Sequence, residues 1–198
     1  MVWMAIDDSR ILERNKLLLK LTLFFACRVS ELRLAKITDF DFTEGVWTVP
    51  PENHKTGRQT GQPLIRPIIP EIVPLIQRAM SIAPGEFILS GRADSPMPES
   101  NHVCITNGLR NFMLKSYEAN VPHFTVHDLR RTARTNFSEL ADPIVAEKML
   151  GHALPGVLGV YDKYQYMDEM REAYGRWWAR LMSITEPDVL EFTPRNAG

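Results

Sequence analysis

Six side chains scattered along the chain have the chemistry to handle a phosphodiester: Arg28, Lys55, His127, Arg130, His152 and Tyr161. Two arginines supply planar, paired donors that match the non-bridging oxygens of a phosphate. A lysine can protonate a departing alkoxide. Two histidines can hydrogen-bond the phosphate or accept a proton from a nucleophile. A tyrosine hydroxyl can attack phosphorus and form a covalent intermediate. His127 and Arg130 share the string HDLRRTART, and their spacing puts both on one face of a helical turn. No carboxylate cluster marks a metal site, so the cations would do the charge neutralisation that Mg²⁺ does elsewhere. The expected metal and cofactor complement is none.

Each of these residues also has an ordinary reading. Arg28 alone would be a surface or ion-paired arginine. Lys55, in the polar stretch His54-Lys55-Thr56-Gly57-Arg58, would be a solvated turn lysine. His127 could cap a helix start, and Leu150-Gly151-His152 is the usual end of a helix. Tyr161, Tyr164 and Tyr166 could be amphipathic surface or core aromatics. Only the set, taken together, points to phosphoryl transfer.

The elements that must position the set are legible in outline. Leu18, Leu21 and Phe25 recur at helical spacing and predict a helix over 10–26. Ser30 is the expected cap of a short second helix with Glu31 in its first turn. Short β-prone runs at 39–41 and 46–49 flank Thr43-Glu44-Gly45, a hairpin signal, and 63–69 reads as a third strand whose prolines confine it to an edge. The Pro, Gly, Thr and Asn content of 50–62 predicts loop or turn. Further helices are expected over 71–80, 101–119, 128–140, 143–150, 157–163 and 167–182. The fold class is therefore mainly α with a small antiparallel β-sheet (α+β), in one domain.

Composition agrees with a folded chain. The 198 residues are 44% hydrophobic and 24% charged, and the two cysteines form no CxxC or Cys/His pattern. No apolar run is long enough to span a bilayer, so no membrane association is expected. Net charge is −1, but Ser9 to Lys36 holds seven basic residues against two acidic, while Met167 to Gly198 holds four against six. Such segregation lets one face attract a polyanion while the whole stays near neutral.

The order Arg28, Lys55, His127-x-x-Arg130, His152, Tyr161 resembles the catalytic domain of tyrosine recombinases, the phage-integrase family. The likeness runs from about Arg10 to Leu181 and is carried by RVSELRLAKITDFDF, WTVPPENHKTGR, HDLRRTART, MLGH and YDKYQYMDEMREAYGRWWARL, strings similar to those of prophage and genomic-island integrases. The resemblance implies site-specific DNA recombination, the integration or excision of a mobile element, by transesterification. Arg28 and Arg130 would clamp the scissile phosphate, Lys55 would protonate the 5′-oxygen, and His127 would accept a proton or donate to the phosphate. His152 would hydrogen-bond the phosphate, and Tyr161 would attack to give a 3′-phosphotyrosyl link. Glu31 would orient active-site groups, and Arg131, Arg134 and Lys163 are candidates for holding DNA phosphates. Distance from the Leu-Gly-His string favours Tyr161 over Tyr164 as nucleophile, while Tyr166 matches an aromatic of the following segment.

The resemblance also sets expectations for the whole molecule. Residues 1–182 would be the catalytic domain and 183–198 a tail able to dock on a neighbouring protomer. The core-binding and arm-binding domains of full-length integrases would be absent, so that the chain is an excised domain or a truncated product with weak DNA binding. Partners would be double-stranded DNA attachment sites, with a homotetramer on DNA and a monomer off it, in the cytoplasm of a bacterium and associated with its nucleoid. The alternatives are a catalytically silent DNA-binding remnant and a type IB topoisomerase-like enzyme. The chain departs from the family pattern at Ala26, where glycine is usual, and in the extra Gly, Gln and Pro after Lys55.

Overall fold

A computed structural model describes residues 2–92, 95–99, 101–153 and 164–185. Nine helices are found among them: α1 Val2–Asp8, α2 Glu13–Phe25, α3 Val29–Arg33, α4 Lys55–Thr60, α5 Val73–Ile82, α6 Asn101–Tyr117, α7 Val126–Leu140, α8 Pro143–Met149 and α9 Met167–Thr185. Three strands, β1 Phe40–Asp41, β2 Val46–Val49 and β3 Leu64–Pro67, form one antiparallel sheet in the order β1-β2-β3. Phe40 pairs with Trp47, and Thr48 with Ile65, so the hairpin and the edge position of the Pro-bounded third strand are as the sequence suggests. No described helix is long and apolar enough to cross a membrane.

The central element is α2. It is buried on every side from Leu17 to Phe25, as a helix apolar all round must be. Helices α7 and α9 pack on it, and its Phe24 and Phe25 meet Tyr174 of α9 and Trp47 of β2 in an aromatic cluster. The last carbonyls of a helix lack partners within it. Here other elements supply them: Trp177 Nε1 donates to the Leu23 carbonyl at 3.2 Å, and the Tyr174 hydroxyl to that of Phe25 at 3.4 Å.

Several elements differ from expectation for physical reasons. Helix α1 was not signalled, because seven residues cannot hold a helix alone; Trp3 anchors it edge-on to Trp178 of α9, with the Lys20 ammonium over its ring. Arg28, not Ser30, is the cap residue of α3. The stretch after β2 is a 3₁₀ turn, Pro51–Asn53, followed by α4, not an open turn. Helix α7 begins two residues earlier than expected. Thr125 caps it while the Asp128 carboxylate accepts from the Thr125 amide at 2.9 Å and the Thr125 hydroxyl at 2.8 Å, and these bonds hold the Asp128 pKa below its usual value. The last helix runs on to Thr185, three residues beyond the expected domain limit. The expected helix over 157–163 and the tail beyond Thr185 lie outside the described residues.

Candidate active site

Two helix ends meet at the Arg130 guanidinium. Its Nη1 donates to the Ala26 carbonyl, at the C-cap of α2, at 2.6 Å, and its Nη2 donates to the Leu150 carbonyl, at the C-cap of α8, at 3.1 Å. A helix C-terminus carries partial negative charge, so a cation belongs there. The guanidinium needs that support. Burial, and then the charge of Arg28, bring its pKa down to about 10, which still leaves it a cation at neutral pH. Its three contacts, the third to His152, use three of the five donors an arginine carries.

His152 is placed by the way α8 ends. Gly151 takes the left-handed conformation (φ +69°), its amide bonds back to the Lys148 carbonyl at 2.9 Å, and the His152 amide bonds to that of Glu147 at 3.0 Å. This paired closure is the Schellman motif, and it explains glycine before histidine. The turn sets the His152 ring between two partners. Nδ1 lies 2.6 Å from Glu147 Oε2, and Nε2 lies 3.0 Å from Arg130 Nη2.

Arg28 reaches the same region from the N-terminus of α3. Its Nη1 donates to Glu31 Oε1 at 3.0 Å, and it acts on Arg130 as the leading charged neighbour. Glu31 is fully buried and has a second arginine on its other oxygen: Arg66 Nη2 lies 2.8 Å from Oε2. Arg66 itself is fully buried on β3, with its guanidinium 5.3 Å from the centre of the Trp47 ring. Burial opposes its charge, but Glu31, Tyr174 and Cys27 outweigh burial and hold its pKa above the usual arginine value. Sequence reasoning missed Arg66. Its signal was a single charge inside the apolar strand run 64–69.

Lys55 is exposed on the first turn of α4. The buried ring of His54 caps that helix, with Nδ1 accepting the Gly57 amide at 3.0 Å and Nε2 facing the Gln62 carbonyl at 3.2 Å. Gly57 is required: a Cβ there would lie 2.3 Å from His54 Nε2 and 2.5 Å from the Pro51 carbonyl oxygen. The next residue, Thr56, donates its hydroxyl to the Gly151 carbonyl at 3.1 Å, which ties the lysine segment to the turn that carries His152.

Contacts therefore link Arg28 to Glu31 and Arg130 to His152, the charge of Arg28 acts on Arg130, and the Thr56 bond joins the backbone bearing Lys55 to the His152 turn. His127 is exposed on the first turn of α7, one turn before Arg130. Arg131 is exposed and pairs with Asp128 at 3.2 Å. Arg134 is turned inward: its Nε and Nη2 donate to Glu147 Oε1 at 3.1 and 2.7 Å, and its Nη1 to the Ser138 hydroxyl at 2.7 Å. Tyr161 and Lys163 lie outside the described residues. Tyr164 is exposed, and the negative charge of Glu169 pushes its phenol up in pKa, which works against a nucleophilic role. Among the described residues, no group of three or more His, Cys, Asp or Glu side chains is placed to hold a metal ion.

The sequence profile of the phage integrase family matches residues 3–167. The IntB protein of Escherichia coli (strain K12) is 27% identical over 179 residues, which are 84% of this chain and 44% of the relative's length. The chain thus spans less than half of that relative. The fold is similar to the integrase of transposon Tn1549 in complex with a circular intermediate DNA (TM-score 0.63, 22% identity, 88% of this chain and 62% of that one). It is also similar to the XerH site-specific recombinase bound to a difH substrate (TM-score 0.58, 17% identity, 93% and 49%). A third similar structure is a lambda integrase tetramer bound to a Holliday junction (TM-score 0.54, 19% identity, 85% and 46%). With the profile covering most of its length, the chain belongs to the phage integrase family.

Proposed function

We propose that this chain cuts and rejoins DNA at specific sites as the catalytic part of a tyrosine recombinase that integrates or excises a mobile element. The carrying observation is the Arg130–His152 contact, in which a buried guanidinium held at two helix ends meets a histidine ring 3.0 Å away, with the charge of Arg28 acting on the same guanidinium. A tetrahedral anion is the ligand such a cluster fits. In the reaction, Tyr161 Oη bonds to phosphorus and its proton passes to His127. The bond from phosphorus to the 5′-oxygen breaks, and Lys55 protonates that oxygen. A 3′-phosphotyrosyl link and a free 5′-hydroxyl result. Reversal with a new 5′-hydroxyl rejoins the strand without an external energy source. Arg28 and Arg130 stabilise the charge that builds on the phosphoryl oxygens, each contributing on the scale of about 3–4 kcal/mol known for one transition-state donor.

The DNA complexes of the similar recombinases support duplex attachment sites as substrate, and the lambda integrase tetramer supports a fourfold assembly on DNA. Residues 183–198 would dock on a neighbouring protomer in that assembly, and the setting would be nucleoid DNA in a bacterial cytoplasm. Arg131 and Lys163 would grip flanking phosphates. The reading is tested with a nicked suicide duplex carrying the attachment core. A covalent protein–DNA adduct is expected with the native chain and none with Tyr161→Phe. An adduct of undiminished yield in that variant would overturn the nucleophile.

A further inference from the structure

We infer that Glu147 is a positioning residue whose contact with His152 makes a phosphate enter this site only together with a proton, taken up on His152 Nε2. The inference rests on the phosphate-binding reading above.

An ionised carboxylate only accepts hydrogen bonds. Glu147 Oε2, 2.6 Å from His152 Nδ1, therefore fixes the ring proton on Nδ1. The remaining nitrogen, Nε2, then carries a lone pair, and that lone pair accepts the Arg130 Nη2–H at 3.0 Å. Without DNA the ring is consistent with one neutral tautomer, set by its two partners. A phosphate oxygen is also acceptor-only. A neutral ring in this tautomer presents lone pair to lone pair and cannot bind it. His152 can hydrogen-bond the phosphate only when Nε2 gains a proton, while the Arg130 N–H turns from Nε2 to the phosphate.

Glu147 is built to stay ionised through this change. Its partial burial opposes the charge, but bonds from His152 and from Arg134 outweigh that and keep its pKa below the usual value. Arg134 grips the other oxygen with two nitrogens, at 3.1 and 2.7 Å, which leaves Oε2 to the ring. The charged groups in contact with the ring and its partners are Glu147 on α8, Arg130 on α7 and, behind Glu147, Arg134 on α7, while Arg28 at the start of α3 acts on Arg130. The cations among them oppose a further positive charge; Glu147 and the incoming phosphate favour it. Proton and phosphate are thus coupled, and each raises the affinity for the other.

Sulfate, which does not titrate near neutral pH, serves as probe on the full 198-residue chain labelled with ¹⁵N histidine. The His152 signals are assigned by their loss in His152→Gln. Nε2 is expected to be unprotonated without sulfate, where it accepts from Arg130, and protonated at saturation. The sulfate affinity should fall by up to about tenfold per pH unit on the alkaline side. In Glu147→Gln the amide can donate to Nδ1, so the ring can put its single proton on Nε2. That variant should keep its thermal midpoint and bind sulfate with no proton uptake and a flat pH profile. A purely structural Glu147 would leave the profile unchanged in the variant, and that result would overturn the inference. So would sulfate binding that leaves Nε2 of the native chain unprotonated, although the phosphate site itself would stand. Absence of any sulfate effect on His152 or the arginine side chains would instead remove the phosphate site, and this inference with it.

Discussion

Arg130 Nη1 donates to the carbonyl of Ala26 at 2.6 Å, two residues before Arg28. One contact thus sets one arginine of the candidate clamp against the backbone that carries the other. Ala26 takes the left-handed conformation (φ 49°) that ends α2 and aims this carbonyl, a backbone that glycine would adopt without strain. The left-handed backbone costs alanine about 1–2 kcal/mol, but its buried methyl returns about 0.8 kcal/mol that glycine would lose. The methyl recovers part of the cost of the left-handed backbone.

Arg130→Lys should retain a cation and lose the site. An ammonium cannot present the planar fork that spans Ala26, Leu150 and His152 together. Cleavage of a suicide duplex is expected to fall about 10²–10³-fold, the scale for loss of one transition-state donor. Single-turnover rates check this, and a loss under threefold would contradict it.

Glu31 and Arg66 form a fully buried pair. Glu31→Gln leaves Arg66 charged and unpaired inside the protein and should cost about 3–5 kcal/mol in urea denaturation. The double change Glu31→Met with Arg66→Met removes both charges and should recover most of that loss. Activity should not recover, because Arg28 still lacks the carboxylate that holds it at 3.0 Å. Equal destabilisation of single and double variants would contradict the pairing.

Gly151→Ala tests the turn beneath His152. The left-handed conformation would cost about 1–2 kcal/mol with a Cβ. That Cβ would also lie 2.3 Å from Leu64 Cδ2, so Leu64 must move. A lowered thermal midpoint and slower cleavage are expected together. An unchanged midpoint would mean that the closure of α8 does not constrain the site.

His54 gives the fold a sensitivity to acid. Burial lowers its pKa below the usual 6.5, although Glu31 pulls the other way. A second ring proton would face the Gly57 amide that Nδ1 accepts at 3.0 Å. The unfolded chain therefore binds this proton more readily than the folded one. The His54 contribution to stability is present above about pH 6.5 and is lost as pH falls toward the folded-state value. His54→Asn keeps a capping acceptor and does not titrate. Denaturant midpoints between about pH 7.5 and 5.5 should fall less steeply in the variant. Parallel slopes would exclude His54 as the source.

What the sequence disclosed follows from where each signal resides. Arg28, Arg130 and His152 stand in short local strings whose order along the chain could be read directly, although only the set pointed to the chemistry. The sheet was legible because the Thr-Glu-Gly turn and the flanking prolines are local signals. Helix α4 was not, because Lys-Thr-Gly-Arg-Gln-Thr has poor helix propensity and is held by the His54 cap and the Thr56 bond to Gly151. Arg66 and Glu147 escaped for a related reason. Each acts through a partner brought near by folding, Glu31 for one, His152 and Arg134 for the other. Arg134, a candidate for DNA phosphates by the resemblance, has its guanidinium engaged by Glu147 and Ser138 in the fold.

The central claim is that Tyr161 delivers its phenol oxygen to a phosphate held by Arg28, Arg130 and His152. The most direct measurement is to digest the trapped protein–DNA adduct and find, by mass spectrometry, which peptide carries the nucleotide. The expected result is a nucleotide on Tyr161, formed by the native chain and lost in Arg130→Lys. A nucleotide on Tyr164 or Tyr166, or an adduct formed equally well without Arg130, would contradict the account.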